Sequence, residues 1–382
     1  MIAAITWGIV MTARVTLSYF AVYMGMTAGQ LGWQNCAMSV AAFFSALIVG
    51  NHVSYKNMKK ILMISLLGVC GCIVATSFAG NLFLLLFVRV LMGIFAGPLY
   101  TLLTYAVRHC SSRQRYTANI GLITLGEAAV SGILWPVLAV NLAEVLGWQN
   151  ANMVIALPVL LIFVLWSRVY LKQEHSMEEV QERVSVPIKE LLKNRNIFLC
   201  CIYGTFCMLT ALAIYSYAPM YWVYAGKLAE GTMGVRMTGM GIFMALFSLI
   251  LPYISGKKGR KIVLIPASII ACMTLFILYF APESQTAAGM FTLFGGFPSI
   301  LPLFAMAVIS VESVPEELCA PAVALVNGTC ELLGSALGPM LGGMVADAWG
   351  AASVMLLGAV CMSICILAAC VMRETGVVKK KK

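Results

Sequence analysis

The chain has 382 residues, 61% of them hydrophobic and only 10% charged, with a mean hydropathy of +0.93. A soluble domain carries about 25% charged residues, so this composition excludes a soluble enzyme, a disordered protein and a secreted disulfide scaffold, and it puts the chain in a lipid bilayer. The formal net charge of +10 reads as loop lysine and arginine beside an anionic membrane surface rather than as a nucleic-acid footprint.

A bilayer-spanning helix needs about 20 apolar residues. Twelve segments meet that need in chain order, at residues 2–24, 30–51, 61–80, 82–107, 116–139, 151–171, 197–222, 236–255, 262–281, 287–311, 319–345 and 350–372. Met1 to Val10 carry no basic region and do not read as a cleavable signal peptide. The first segment begins almost at once, which leaves open a short cytoplasmic lead before Met1. The fold class expected is an all-α membrane protein, with twelve transmembrane helices in two pseudo-symmetric six-helix bundles.

Orientation follows from the basic residues. Lys56, Lys59 and Lys60, then Arg108, Arg113 and Arg115, then Lys257, Lys258, Arg260 and Lys261 fall in loops on one side, with Lys227 and Arg236 the exceptions on the other. The positive-inside rule then places both termini in the cytoplasm. The longest polar stretch, residues 172–196, ends in Pro187-Ile188-Lys189-Glu190-Leu191-Leu192-Lys193, a short surface helix opened by proline. It divides the chain into an N-terminal bundle (1–171), a central cytoplasmic loop (172–196), a C-terminal bundle (197–373) and a basic tail (374–382) ending in Lys379, Lys380, Lys381 and Lys382.

The two halves read as repeats. An offset of 202 residues lines up Lys59 with Lys261, Asn57 with Gly259, and Gly93 with Gly295. Internal repeats in a helical membrane protein point to a transporter whose site lies at the repeat interface. Most of the 13 cysteines sit in apolar runs and read as small buried hydrophobes. With 3 histidines (His52, His109, His175) in the chain, no metal site is expected. Neither a P-loop nor an H-E-x-x-H motif is present, so no cofactor and no enzymatic activity are expected, and an ion or solute gradient is the expected energy source.

Twelve helices, two halves, a long central loop and the loop pattern G-x-x-x-D-R-x-G-R-K resemble the major facilitator superfamily. The first copy keeps Gly50, Lys59 and Lys60 with Ser54 at the acidic position. The second keeps Lys257, Gly259, Arg260 and Lys261, with Gly256 at the acidic position and Pro252 at the first glycine. A narrower resemblance is to the anion:cation symporter group. It is carried by Thr12 to Tyr19 around Arg14, by Arg89 with Gly93 and Gly97, by Gly126-Glu127 with Pro136, and by Asn327, Glu331, Gly334, Gly338-Pro339 and Gly342-Gly343. That group's helix-one aspartate is Ala13 here and its helix-four glutamate is Ala96, so its proton coupling does not carry over. Most of the superfamily works as monomers, and the resemblance implies the same here. The compact loops read as prokaryotic, which implies the cytoplasmic membrane.

Ionisable residues inside a membrane are expensive and point to function. Arg14 lies mid-segment, where a guanidinium fork suits a carboxylate; the alternative is a structural pair with Glu127. Arg89 either faces a cavity or anchors the packing face of Gly93 and Gly97. Glu127 either pairs with Arg14 or Arg89, or carries a proton. Asn327 and Glu331 share a helical face, and Glu331 is the second candidate for coupling. Glu312, near a cytoplasmic end, reads as a partner of loop lysine or arginine. Tyr19, Tyr100 and Tyr215 are candidates to line a cavity, whereas Tyr23 and Trp222, near helix ends, read as an interface belt.

The expected function is secondary transport of a small organic anion, a carboxylate in the first instance. Arg14, Tyr19, Arg89, Tyr100, Glu127, Tyr215 and Asn327 would bind it. Coupling would be to protons through Glu127 or Glu331, to another cation, or to anion exchange. The alternative is proton-driven efflux of drugs or lipophilic cations. Two deep arginines speak against it, as does the missing G-x-x-x-G-P motif, where Pro136 follows Leu134-Trp135.

Overall fold

The computed structural model describes residues 1–52, 55–110, 122–123, 125–168, 188–227, 230–315 and 318–375. The described residues are helical almost throughout, and eleven helices are long and apolar enough to cross a membrane. They include α1 (Ile2–Phe20), α2 (Ala28–His52), α3 (Tyr55–Ser77), α4 (Leu82–Thr104), α5 (Leu125–Leu146) and α6 (Trp148–Arg168). After a short helix, Ile188–Lys193, come α7 (Arg195–Ala225), α8 (Glu230–Lys258), α9 (Lys261–Phe280) and α10 (Gln285–Glu312). A long helix over residues 319–349, α11, precedes α12 (Ser353–Val371). Helix α11 is not among the eleven because Asn327, Glu331 and its glycines dilute its apolar character. It is nonetheless the eleventh of the twelve segments expected. The remainder of the central loop, the basic tail from residue 376, and Arg113 and Arg115 lie outside the described residues.

Two segment boundaries differ from the hydropathy reading. Helix α5 continues to Leu146, and α6 begins at Trp148. Only Gly147 separates them, at φ 75° and ψ 154°. A Cβ disfavours that conformation, and glycine has none. The turn from α11 to α12 uses Gly350 at φ 86° and ψ 163° in the same way. Each turn needs few residues outside a helix, Gly147 alone at the first and residues 350–352 at the second, so the helices run further than the segment ends read from hydropathy, 139 and 345.

The chain forms two compact units. The first comprises Met1–Glu178 with Leu228–Ile242, and the second Glu179–Lys227 with Phe243–Lys382. In the first, α1 packs on α5, α2 on α4, and α3 on α6. Small residues permit these approaches. A Cβ on Gly126 would collide with the Ala4 carbonyl, and one on Gly93 with the Met38 carbonyl. One on Gly97 would strike the Ala42 backbone. Backbones that close gain dispersion contacts, the main attraction left when lipid is as apolar as the side chains. From α8, Thr238 donates to the Ile133 carbonyl at 2.8 Å.

In the second unit α7 is the central helix, packed against α11 and α12, and α9 packs on α12. Gly204 faces Cys330, Gly334 faces Met208 and the Thr205 carbonyl, and Gly338 faces Leu209. Tyr217 donates to the Pro339 carbonyl at 2.7 Å and Tyr221 to Leu278 at 2.7 Å. Trp222 departs from the belt expected of it. It is 1% exposed and packs edge-on against Tyr221 and Phe291, because α7 runs on past it through a π-helical turn, Tyr221–Ala225, and keeps it inside the unit.

Candidate functional site

Among the described residues of the first unit, two polar groupings draw on α1 and contain the ionisable side chains Arg89 and Glu127. The upper one centres on Arg89 of α4, which is 1% exposed. Its Nη2 donates to the Arg14 carbonyl at 2.9 Å and to Asn35 Oδ1 at 3.0 Å, and its Nη1 approaches Met92 Sδ at 3.4 Å. The guanidinium therefore ties α4 to α1 and α2 rather than projecting outward. It can lie there because Gly93, one turn on, lets α2 close against α4. Gln34, the neighbour of Asn35, is fully buried, and neither of its amide atoms has a hydrogen-bond partner.

Arg14 differs from Arg89. Its side chain is partly exposed, and it contacts Met11 Sδ at 4.0 Å from Nη1. The described ion pairs are Lys227–Glu283 and Arg260–Glu312, and neither involves Arg14.

The lower grouping is Trp7 of α1, Tyr100 of α4 and Glu127 of α5. Trp7 Nε1 donates to Glu127 Oε2 at 2.7 Å, and the Trp7 and Tyr100 rings meet at 4.9 Å between centroids, tilted by 54°. Trp7 is buried, whereas Tyr100 is 38% exposed. The close α1–α5 approach at Gly8 and Gly126 brings the indole to the carboxylate. Tyr19, on α1, is 2% exposed and lies in the core of the unit.

In the second unit Tyr215 donates to Met244 Sδ at 3.1 Å. Asn327 and Glu331 are both exposed on one face of α11, and Ser335 Oγ donates to Glu331 Oε2 at 3.1 Å. A polar stripe on an apolar helix is costly against lipid.

The two glutamates occupy matching places. Glu127 immediately precedes a π-helical turn, Ala128–Leu134, and Glu331 lies in another, Cys330–Ser335. Each has a serine four residues on. Ser131 Oγ donates to the Glu127 carbonyl at 3.0 Å, whereas its counterpart Ser335 reaches the Glu331 carboxylate. π-Helical turns occur frequently at functional sites.

Sequence reasoning missed Trp7, Asn35 and Gln34. The adjacent Gln34-Asn35 pair inside an apolar segment was a readable signal. Trp7 was not, since a tryptophan near the start of a transmembrane helix is ordinary.

Among the described residues, no group of three histidine, cysteine, aspartate or glutamate side chains could hold a metal ion. At the end of α10, the Glu312 carboxylate forms a two-pronged ion pair, at 2.6 and 3.1 Å, with Arg260, which lies outside the membrane spans between α8 and α9. The hydrogen bond to Glu312 holds the Arg260 guanidinium above its ordinary pKa.

The sequence profile of the Major Facilitator Superfamily matches residues 1–339 and, separately, 227–382. The chain belongs to the Major Facilitator Superfamily. It is thus a multi-pass membrane transporter and not an enzyme. Among curated members, it is 24% identical over 330 residues to multidrug resistance protein MdtG of Salmonella choleraesuis, covering 83% of this chain and 80% of that protein. It is 22% identical over 402 residues to the phosphoglycerate transporter protein of Salmonella typhimurium, covering 95% and 85%. The match to multi-drug resistance efflux pump PmrA of Streptococcus pneumoniae is 29% identical over 179 residues and covers 45% and 44%. The chain spans about half the length of PmrA and of the MdtG of Proteus mirabilis. Among superfamily structures, a bacterial homologue of the human lysosomal transporter Spinster superposes with a TM-score of 0.80 at 12% identity, over 97% of this chain and 96% of that one. The nucleoside transporter NupG gives 0.74 at 14% identity, over 97% and 98%. These likenesses concern the fold.

Proposed function

We propose that this superfamily member is a secondary active transporter that moves a small organic anion, a carboxylate in the first instance, by alternating access. One observation carries the reading: Arg89 is spent on the Arg14 carbonyl and Asn35, whereas the Arg14 guanidinium is partly exposed, and the hydrogen-bond partner described for it is the Met11 thioether. A charge held inside a membrane protein needs a counter-charge, and a guanidinium fork matches a carboxylate. Arg14 is thus the substrate clamp, and Arg89 fixes its position. The relative named as a phosphoglycerate transporter, an anion carrier by name, supports the same class.

Glu127 and Glu331, on matching π-helical turns, are the candidates for proton coupling. Tyr100 and Tyr215, with Asn327, would complete the binding residues, and Tyr19 would support α1 from within the core. Both termini face the cytoplasm, on the distribution of lysine and arginine. The protein acts in the cytoplasmic membrane as a monomer.

The test is uptake of radiolabelled mono- and dicarboxylates into proteoliposomes. Arg14→Ala abolishes uptake while the protein stays monodisperse. Uptake retained by that variant overturns the reading. The names of MdtG and PmrA favour a second reading, proton-driven efflux of drugs or lipophilic cations. It prevails if lipophilic cations are transported and Arg14→Ala leaves their transport unchanged.

A further inference from the structure

Arg14 and Arg89 are both cations within membrane-spanning helices, and neutral hydrogen-bond partners do not cancel their charge. Among the described residues the ion pairs are Lys227–Glu283 and Arg260–Glu312, so neither guanidinium has an acidic partner there. The groups described around them are neutral: the Arg14 carbonyl, the Asn35 amide, and the thioethers of Met11 and Met92. Glu127, in the same unit, is bonded to Trp7, which lies about 10 Å along α1 from Arg14.

Arg14, Gln34 and Arg89 also share a level. Each lies roughly two turns from the same end of its helix, before Phe20 in α1, after Ala28 in α2 and after Leu82 in α4. The bond from Arg89 to the Arg14 carbonyl joins α4 to α1 there, and the two guanidinium charges lie within Coulombic reach of each other. Acceptors are short at this level, as is negative charge. Arg89 Nε has no hydrogen-bond acceptor, nor has the amide nitrogen of Gln34, and both side chains are buried. A buried N–H is costly to leave unmatched.

A monoanion cancels one of the two charges and leaves the other in a medium that penalises it. A dianion cancels both and brings more acceptor oxygens. We propose that the substrate held at Arg14 is a dianion, a dicarboxylate or a phosphate monoester, and that Arg89 selects for its second negative charge. Arg89 is 1% exposed, so it acts as a positioning residue, by charge at a distance rather than by contact. The proposal rests on the reading of Arg14 as the substrate clamp.

The experiment measures affinity by titration calorimetry on the purified full chain, at about pH 8, where a phosphate monoester carries close to two charges. The probes are two matched pairs, succinate with monomethyl succinate and ethyl phosphate with diethyl phosphate. Within each pair the charge falls from two to one. The dianion of at least one pair binds about tenfold tighter or more, as expected of one further charge acting across about 10 Å at an effective dielectric constant of about 20. The pair that shows the preference tells a dicarboxylate from a phosphate ester. Arg89→Gln, which keeps an amide donor and removes the charge, brings the ratio close to one. Arg89→Lys, which keeps the charge without the fork, retains it. A merely structural role for Arg89 would weaken both members of a pair together and leave the ratio unchanged.

Equal affinities within both wild-type pairs overturn the proposal, whether or not the variants fold. A preference that survives in Arg89→Gln, with folding checked by the ligand-free melting temperature, overturns it too. If the members of each pair bind equally and Arg14→Ala abolishes all binding, the anion reading stands and the dianion falls. If dianions are preferred and Arg14→Ala binds them unchanged, the clamp reading falls and takes the proposal with it.

Discussion

Lys59 and Lys261 perform the same task in the two units. Lys59 Nζ donates to the Ser167 carbonyl at 2.9 Å, at the end of α6. Lys261 Nζ donates to the Cys370 and Met372 carbonyls at 2.7 and 3.0 Å, at the end of α12. Each ammonium thus satisfies carbonyls left over at a helix C-terminus, where the helix dipole also favours a cation. The repeat alignment by 202 residues pairs these two lysines, and the structure gives the pairing a physical meaning.

Replacing either lysine with methionine therefore lowers stability by about 0.3–1 kcal/mol. The measurement is thermal unfolding in detergent at low and high salt. The deficit shrinks as salt rises, since the contacts are exposed. A melting temperature unchanged at low salt would show that these carbonyls are served equally well by water.

Arg89→Ala removes the donors to the Arg14 carbonyl and to Asn35 Oδ1 in a buried setting. Hydrogen bonds to a charged group are worth about 1.5–3 kcal/mol each, so the variant melts several degrees lower and binds anions more weakly through a misplaced α1. Arg14→Ala, at a partly exposed position, loses anion binding with a smaller change in melting temperature. The two variants are told apart by a ligand-free melt beside a ligand titration.

Gly93→Leu forces a side chain onto the Met38 carbonyl, and Gly126→Leu onto that of Ala4. Overpacking costs about 1–3 kcal/mol and more against backbone. Both variants give reduced monodisperse yield by size exclusion. Gly256→Leu, where a Cβ meets nothing within 4 Å, serves as the tolerant control.

Gly147→Ala and Gly350→Ala place a Cβ at φ 75° and 86°. Strain of this kind costs about 1–3 kcal/mol, seen as a fall in melting temperature for each variant. Equal stability in either would mean that the turn relaxes to a negative φ.

Glu312→Gln weakens the bridge to Arg260, whose side chain is 15% exposed against 28% for Glu312. The expected loss is about 1 kcal/mol or less, discounted for solvent. The arginine side of this bridge has a simple pH sign. The Arg260 pKa is raised above an already high value, so its contribution is present below the unfolded pKa and fades only in strong alkali. Melting curves of the wild type and Glu312→Gln from neutral to mildly alkaline pH therefore keep a constant separation. A gap that closes in that range would point to a group other than Arg260.

Much of the fold was readable because burial in lipid leaves a one-dimensional record. Segments of about 20 apolar residues marked the helices, and Gly93 and Gly97 marked a close helix contact now seen against α2. Glu312 was expected to meet a loop cation and meets Arg260. The ends of α5 at Leu146 and α11 at Trp349 were not legible, since a turn made at a positive-φ glycine leaves few polar residues to mark it. Trp222 was misread as interfacial because its burial depends on α7 running past it.

By itself, the sequence determined that this is a membrane protein of twelve apolar segments in two repeats, and that a few ionisable groups lie inside them, because lipid exacts apolar composition residue by residue. What only the tertiary structure decided is how those groups are used. Arg89 and Arg14 are the same residue type at similar depth in sequence. One is buried and consumed by a carbonyl and an amide from two other helices, and the other is partly exposed beside the Met11 thioether. That distinction rests on contacts 54 and 75 residues apart along the chain, and no local pattern of hydropathy or spacing encodes them.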